Sequence, residues 1–270
     1  MAAQKTTAVM EAAYALWDEL DQFPPDSSDA ALELLCERLK GLLKADNVKW
    51  VAAVRALKDE TFESDSMRGW RLRAKYDLVP DGEDYEKLIR VMFERKDPAD
   101  SNFNVGHATV GIIKRMGKFQ AHRMRDGWIP YEEFAATEHY KIHYTGLGIT
   151  DRIWTSFPLN ADAESVFMMD RMGEAPHFSL AEVKLAATIL RGIRSFHRRL
   201  FMDRALLIGD KPLSPVARRV LQKLLTGLSE KEIAESLGQT VTTTHKYVKT
   251  IYERFGVNGR AALMSLCLRN

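Results

Sequence analysis

The chain has 270 residues, a net charge of +2, two cysteines, and 46% hydrophobic and 28% charged residues. This composition excludes a disordered chain and a disulfide scaffold. No run approaches the ~20 apolar residues of a membrane span, and the first residues lack a signal peptide's apolar core, so a reducing cytoplasm is the expected compartment. The charge is uneven: Asp210–Asn270 carries ten Lys or Arg against five Asp or Glu, a net +5, which leaves −3 for the larger remainder.

From the N-terminus, Val9, Ala12, Ala13, Leu16, Trp17 and Leu20 recur at helical spacing over Thr6–Gln22, and Pro24-Pro25 ends that helix. A second helix follows with the stripe Leu32, Leu35, Cys36, Leu39, Leu42 and Leu43. Asn47–Leu57 reads as a strand. Trp70–Leu78 reads as another, with Trp70, Leu72, Ala74, Tyr76 and Leu78 alternating against Arg71, Arg73, Lys75 and Asp77. Asp84–Arg95 is helical and Asp97–Gly106 a loop. His107–Met116 fits helix or strand, Phe119–Arg125 extends, and Pro130–Tyr144 is helical. Arg152–Leu159 and Ser165–Arg171 pair as strands across Asn160–Ala163. Ser179-Leu180-Ala181-Glu182 has the form of a capping box and opens one long helix to about Leu200. Ile208–Leu213, with Gly209 and Pro212, is the linker. The order of elements implies an α+β N-terminal domain, an antiparallel sheet flanked by helices, over residues 1–205. A linker at 206–212 and an all-α four-helix domain at 213–270 follow.

The C-terminal segment is dense in helix punctuation. Ser214-Pro215 caps and starts a helix, Gly227 stops it, and Ser229–Glu232 repeats the capping-box form. Gly238 ends the second helix, and Thr240 caps a third, Val241–Phe255. A fourth runs Arg260–Leu268. Small Ala234 lets the second and third helices cross closely, as in a helix-turn-helix. On the third helix Thr242, His245, Lys246 and Lys249 share one outward side, while Val241, Thr244, Val248 and Ile251 face the core. Polar and basic groups on a rigid helix are what reading a major groove requires.

Leu213-Ser214-Pro215, Gly227-Leu228-Ser229, Lys231-Glu232-Ile233-Ala234, Leu237-Gly238, Ile251-Tyr252 and Phe255-Gly256-Val257-Asn258-Gly259-Arg260-Ala261 resemble the LuxR/FixJ-type helix-turn-helix, in register over about 58 residues. The resemblance implies a transcriptional regulator that binds double-stranded DNA as a homodimer on a two-fold site. Its third helix would lie in the major groove and its last helix would supply a dimer contact. Carried over by position, it makes His245, Lys246 and Lys249 the base readers. Thr240, Thr242 and Arg254, with Lys231, would contact phosphate. Ala217 stands where the family usually has Glu, and Thr244 and Tyr247 where it commonly has Val and His. The lost Glu removes an internal polar tie, while the Tyr247 hydroxyl can still reach a phosphate.

The N-terminal domain does not read as a phosphorylated receiver, because Arg55 follows the first strand where an acidic pair is needed and the chain opens with two helices. Its helix–sheet–helix order resembles a GAF- or PAS-like domain, which implies a small-molecule signal or a dimerisation role. Trp50, Trp70, Tyr76 and Trp154, with Asp77, are the candidate ligand residues. Core packing is the competing reading for the tryptophans, since aromatic rings bury large areas. Asp151-Arg152 reads as a structural ion pair or a polar tie at a turn. His139 and His143 have metal-ligand spacing on a helix, but Tyr140 replaces the Glu of a zinc-hydrolase helix, so surface or polar packing is expected and no metal or cofactor is implied. Arg191, Arg194, His197, Arg198 and Arg199 read as a solvated helix face. No phosphate loop or nucleophile elbow suggests an enzyme. The alternative to DNA binding is a partner-binding adaptor with a degenerate helix-turn-helix.

Overall fold

A computed structural model describes residues 2–56, 67–94, 107–127, 129–207 and 212–268. Helices α1 (Ala2–Asp21) and α2 (Ser28–Leu43) lead into strands β1 (Asn47–Arg55) and β2 (Trp70–Asp77). Then come α3 (Glu83–Glu94), α4 (His107–Ile113), β3 (Gln120–Arg123), α5 (Tyr131–Ala135) and α6 (Glu138–His143). The hairpin β4 (Ile149–Asn160) and β5 (Ala163–Met172) precedes α7 (Leu180–Gly192) and α8 (Arg194–Met202). The five strands form one antiparallel sheet in the order β2-β1-β5-β4-β3. The expected α+β class, a GAF/PAS-like sheet flanked by helices, is what the chain adopts. The expected loop at 97–106 lies outside the described residues, as do positions 208–211 of the linker. The ambiguous segment from His107 is a helix, and Pro130–Tyr144 is two short helices rather than one.

The sheet's two faces differ. On one, Val48, Trp50, Ala52 and Val54 of β1 and Phe167 and Met169 of β5 pack with residues of α1, α2, α7 and α8 into the main core. The other carries α3 to α6 and smaller clusters around Phe134, Tyr144 and Trp154 and around Met67, Trp70 and Ile113. Strand β2 changes phase between them. Ala52 pairs with Ala74 but Ala53 pairs with Leu72, so Arg73 is an extra residue, a β-bulge. A one-residue insertion inverts every later side chain. Ala74, Tyr76 and Leu78 therefore join the main core, whereas Trp70 and Leu72 lie across the sheet. The strict alternation expected over Trp70–Leu78 breaks at this point.

The single long helix expected from Ser179 to Leu200 is two helices. Its capping box is present, but the backbone leaves helical geometry at Ile193, with ψ of 44°. Trp17 of α1 explains the break. Its Nε1 donates to the Ile189 carbonyl at 3.0 Å, and its ring lies so close to Gly192 that a Cβ there would come within 2.1 Å of Cζ2. The bend also buries His197, which is fully enclosed, so the basic run on this helix is not a uniformly solvated face. Arg199 likewise donates to the Phe23 carbonyl at 3.1 Å.

The C-terminal helices are α9 (Pro215–Leu225), α10 (Glu230–Ser236), α11 (Val241–Phe255) and α12 (Arg260–Leu268). Ser214, Ser229 and Thr240 each accept a backbone N–H as N-caps, and Ser229 forms a full capping box with Glu232. Val220, Leu221, Leu224, Ile233, Val248, Ile251, Phe255 and Leu263 make their core, which Met202 and Ala205 from the end of α8 also enter.

One buried carboxylate joins this bundle to the rest. Asp203 accepts from Arg204 Nη1 at 2.7 Å, Arg218 Nη2 at 2.8 Å and Gln222 Nε2 at 3.1 Å, and from the Ser28 hydroxyl. Arg218 and Gln222 belong to α9, Ser28 to α2. Asp29 adds contacts to Arg204 at 2.6 Å and Arg218 at 2.7 Å, which overcome burial and hold its carboxyl below the usual range.

Candidate functional site

Two regions carry chemistry: a cavity on the α3–α6 face of the sheet, and the outward face of α11. The cavity has a volume of about 190 Å³ and lies between β1, β2, β4 and β5 below and α3, α4 and α6 above. Val51, Ala53, Met67, Trp70, Leu72, Ile112, Ile113, Val166 and Met168 make its wall largely apolar. This is smaller than the ~300 Å³ at which pockets for drug-sized ligands begin.

Its polar end is charged but internally paired. Lys49 Nζ lies 2.6 Å from Asp81, and Lys75 Nζ 2.8 Å from Asp77 with Glu86 also in contact. Arg152 is buried and forks onto Asp170, with Nη2 to Oδ2 at 2.8 Å. Burial opposes the Arg152 charge, but Asp170 outweighs it and keeps the guanidinium protonated. Of the two structural readings of Asp151-Arg152, the ion pair is replaced by this cross-strand partner and the polar tie is present. Asp151 instead accepts the backbone N–H groups of Phe178 and Arg152, at 2.7 and 2.9 Å.

His139 and His143 line the cavity, so they are not surface groups; their rings stand 4.4 Å apart. His143 Nδ1 meets the Tyr85 hydroxyl at 2.9 Å. Burial, reinforced by the Arg152 charge, pulls the His143 pKa down to about 4. Asp77, Asp81 and Glu86 stand close enough to share a cation. Lys49 and Lys75 occupy them instead, which leaves no donor set suited to a metal in that group.

Of the ligand candidates, Trp70, Trp154 and Asp77 border this cavity. Trp50 and Tyr76 do not. Trp50 points to the opposite face, donates Nε1 to Ser165 Oγ at 2.9 Å and meets Phe201 edge-on. The bulge at Arg73 sends Tyr76 the same way. Lys49, Tyr85, His143 and Arg152 were missed as cavity residues. Their convergence needs sheet pairing, and only the alternation of Lys49 with Trp50 hinted at it.

Helix α11 runs Val241–Phe255 as the sequence predicts. Thr242, His245, Lys246 and Lys249 are exposed along one side, while Thr244, Val248 and Ile251 are buried against α9 and α10. Val241, expected to face the core, is 48% exposed at the helix start. It sits before the first full turn, outside the stripe that Thr244 begins. The Thr240 hydroxyl accepts the Thr243 N–H at 3.1 Å. Arg254 stands two and a half turns beyond His245, on the other side of the helix. Lys231 is exposed in the first turn of α10. Ala217 is buried, and Tyr247 packs partly against the core rather than standing clear of it. His245 Nδ1 lies 3.0 Å from Glu230 of α10.

Among known proteins, residues 211–267 match the family of bacterial regulatory proteins of the luxR type (GerE). The transcriptional regulatory protein MctR of Rhizobium johnstonii is 37% identical over 60 residues, 22% of this chain and 28% of MctR. This chain thus spans little over a quarter of that relative's length. The ligand-binding domain of VqsR from Pseudomonas aeruginosa aligns over 71% of this chain and 95% of its own, at 14% identity and a TM-score of 0.43. Escherichia coli SdiA aligns over 95% of this chain and 98% of its own, at 14% identity and a TM-score of 0.42. With its three capped helices in register and its family match covering the same residues, the C-terminal unit of this chain is a LuxR-type helix-turn-helix.

Proposed function

We propose that the chain is a sequence-specific DNA-binding transcriptional regulator that works in the cytoplasm as a homodimer, and that its N-terminal domain holds a small signal molecule. The observation that carries the reading is the exposed stripe Thr242, His245, Lys246 and Lys249 on a helix fixed by the core of a LuxR-type unit. His245, Lys246 and Lys249 read base edges, and Thr240, Thr242, Lys231 and Arg254 serve phosphates. The unit spans 213–270 and the signal domain 1–205. No helix among the described residues is long and apolar enough to cross a membrane.

The cavity supports the second half of the reading. Its wall is largely apolar and Lys49, Lys75 and Arg152 are already paired, so the ligand is small, with one polar end near Tyr85 and His143. Trp70 and Trp154 flank it. The family that the C-terminal unit matches is one of regulatory proteins.

The test is to incubate the full chain with sheared genomic DNA and sequence what it retains. Enrichment of a few sites with a two-fold repeat, weakening as salt rises, supports the reading. No enrichment at any salt by the full chain or by residues 205–270 supports the adaptor alternative.

A further inference from the structure

On the exposed stripe of α11, three of the four side chains are flexible or small. The fourth, His245, is held by a partner from another helix. Its Nδ1 lies 3.0 Å from Oε2 of Glu230, which stands in the first turn of α10. That turn is fixed by the Ser229–Glu232 capping box, and α10 is locked against α11 through Ile233 and Val248. Glu230 is half-buried, while His245 keeps 66% of its side chain exposed. The ring is therefore tied at one nitrogen and open at the other.

The chemistry of the pair decides which nitrogen carries the proton. An ionised carboxylate has lone pairs and no hydrogen, so the proton between the two groups belongs to Nδ1. In the neutral ring Nε2 is then an acceptor. The hydrogen bond made by one ring nitrogen sets the state of the other, as it does for histidines that bind metals. In the major groove, acceptors on the protein meet the amino groups of adenine (N6) and cytosine (N4), whereas guanine presents acceptors only. Without a partner, the same ring is free to carry its proton on Nε2 and to donate to guanine.

We propose that Glu230 is a positioning residue for sequence reading: it fixes the Nδ1–H tautomer of His245, so that Nε2 selects a base with an amino group on its major-groove edge. The proposal rests on the DNA-binding reading above and adds a chemical preference at one position of each half-site. Lys249, on the same helix, makes a long contact of 3.9 Å to Glu253. A single hydrogen bond at the rim of the bundle adds little net stability, which leaves substitutions of Glu230 folded and their readout clean.

Two measurements on the full chain test it. Long-range proton–nitrogen correlation at pH 8 reports which ring nitrogen carries hydrogen, with His245→Gln used to assign the signal. The expected result is Nδ1–H in the native chain and a shift toward Nε2–H in Glu230→Ala and Glu230→Gln. Selection from random duplex DNA then gives base preferences. The column lost in His245→Ala is the one His245 reads; it favours adenine or cytosine in the native chain, and in Glu230→Gln that preference falls several-fold while binding of unselected DNA persists. A native ring with its proton on Nε2 overturns the inference, and so does a Glu230→Gln column identical to the native one. If the native chain selects no sequence at all, the DNA-binding reading itself falls and takes the inference with it.

Discussion

Trp50 and Val51 are neighbours on β1, yet one is clamped between helices and the other borders a cavity. The same contrast runs along β5, where Phe167 and Met169 lie in the main core and Val166 and Met168 face the cavity. Alternation places adjacent residues on opposite faces, so a single strand builds a packed layer and a cavity wall at once. On the packed side, Ser165 serves both Trp50 Nε1 and His197 Nδ1, and His197 Nε2 is held by the Leu190 carbonyl. The cavity side instead collects charges in pairs at one end.

The sharpest break in this comparison is truncation of the two tryptophans. Trp50→Ala should cost about 3–5 kcal/mol, because the surrounding helices cannot close over the lost ring. Trp154→Ala should cost at least ~1 kcal/mol less, since its ring already borders open volume. Denaturant midpoints for both check this, and equal losses would mean that the faces are packed alike.

Next comes the junction with the C-terminal helices, an extension of the packed side. Arg218→Ala takes a charged donor from Asp203 and should cost about 1–3 kcal/mol. It should also speed proteolytic cleavage between residues 207 and 213, which mass spectrometry of the fragments would locate.

Enlarging adjacent alanines should sharpen the contrast further. Ala52→Leu forces an isobutyl group into the main core and should cost about 1–3 kcal/mol. Ala53→Leu points into the cavity, should stay within ~1 kcal/mol, and should abolish uptake of any ligand found for the native chain. Thermal melts with and without that ligand separate the two effects.

A pH dependence separates the faces in a different way. Burial pulls His197 on the packed face down to about 4, and His122 and His143 on the other face likewise. In the unfolded chain they take up protons near pH 6.5, while the folded chain refuses them until about 4. Stability is therefore complete above pH 6.5 and is lost as the pH falls toward 4. His197→Asn should flatten the slope of stability against pH; a slope unchanged from the native protein would place the refused protons on the other face.

The C-terminal unit was legible almost residue by residue, because its signals are local. Ser214, Ser229 and Thr240 mark three starts, and Gly227 and Gly256, at φ of 88° and 60°, stand just past two ends. Among its helix signals and core stripe, the exposure of Val241 and the partial packing of Tyr247 depart. In the N-terminal domain most elements were readable, but not their relations. The bulge at Arg73 is a property of two paired strands, and the break at Ile193 depends on Trp17, over 170 residues away. His139 and His143 have a spacing visible in the sequence, yet their meaning as cavity wall comes from Tyr85 and Arg152 on other elements. Asp203 gave no signal beyond its neighbour Arg204, since its other donors come from Ser28 and from the far side of the linker.

That last carboxylate has a mechanical consequence. Arg218 and Gln222 reach it from the same helix, so α9 cannot slide or tilt without stripping both donors from a buried charge together. Partial displacement leaves the anion short of partners before water can reach it. The junction therefore resembles a press stud more than a hinge: it holds or it lets go. Its fixed half is anchored in the sheet, because the Arg204 guanidinium that also grips Asp203 lies 4.9 Å over the ring of Trp50. A displacement of β1 would thus bear on the same carboxylate that α9 grips.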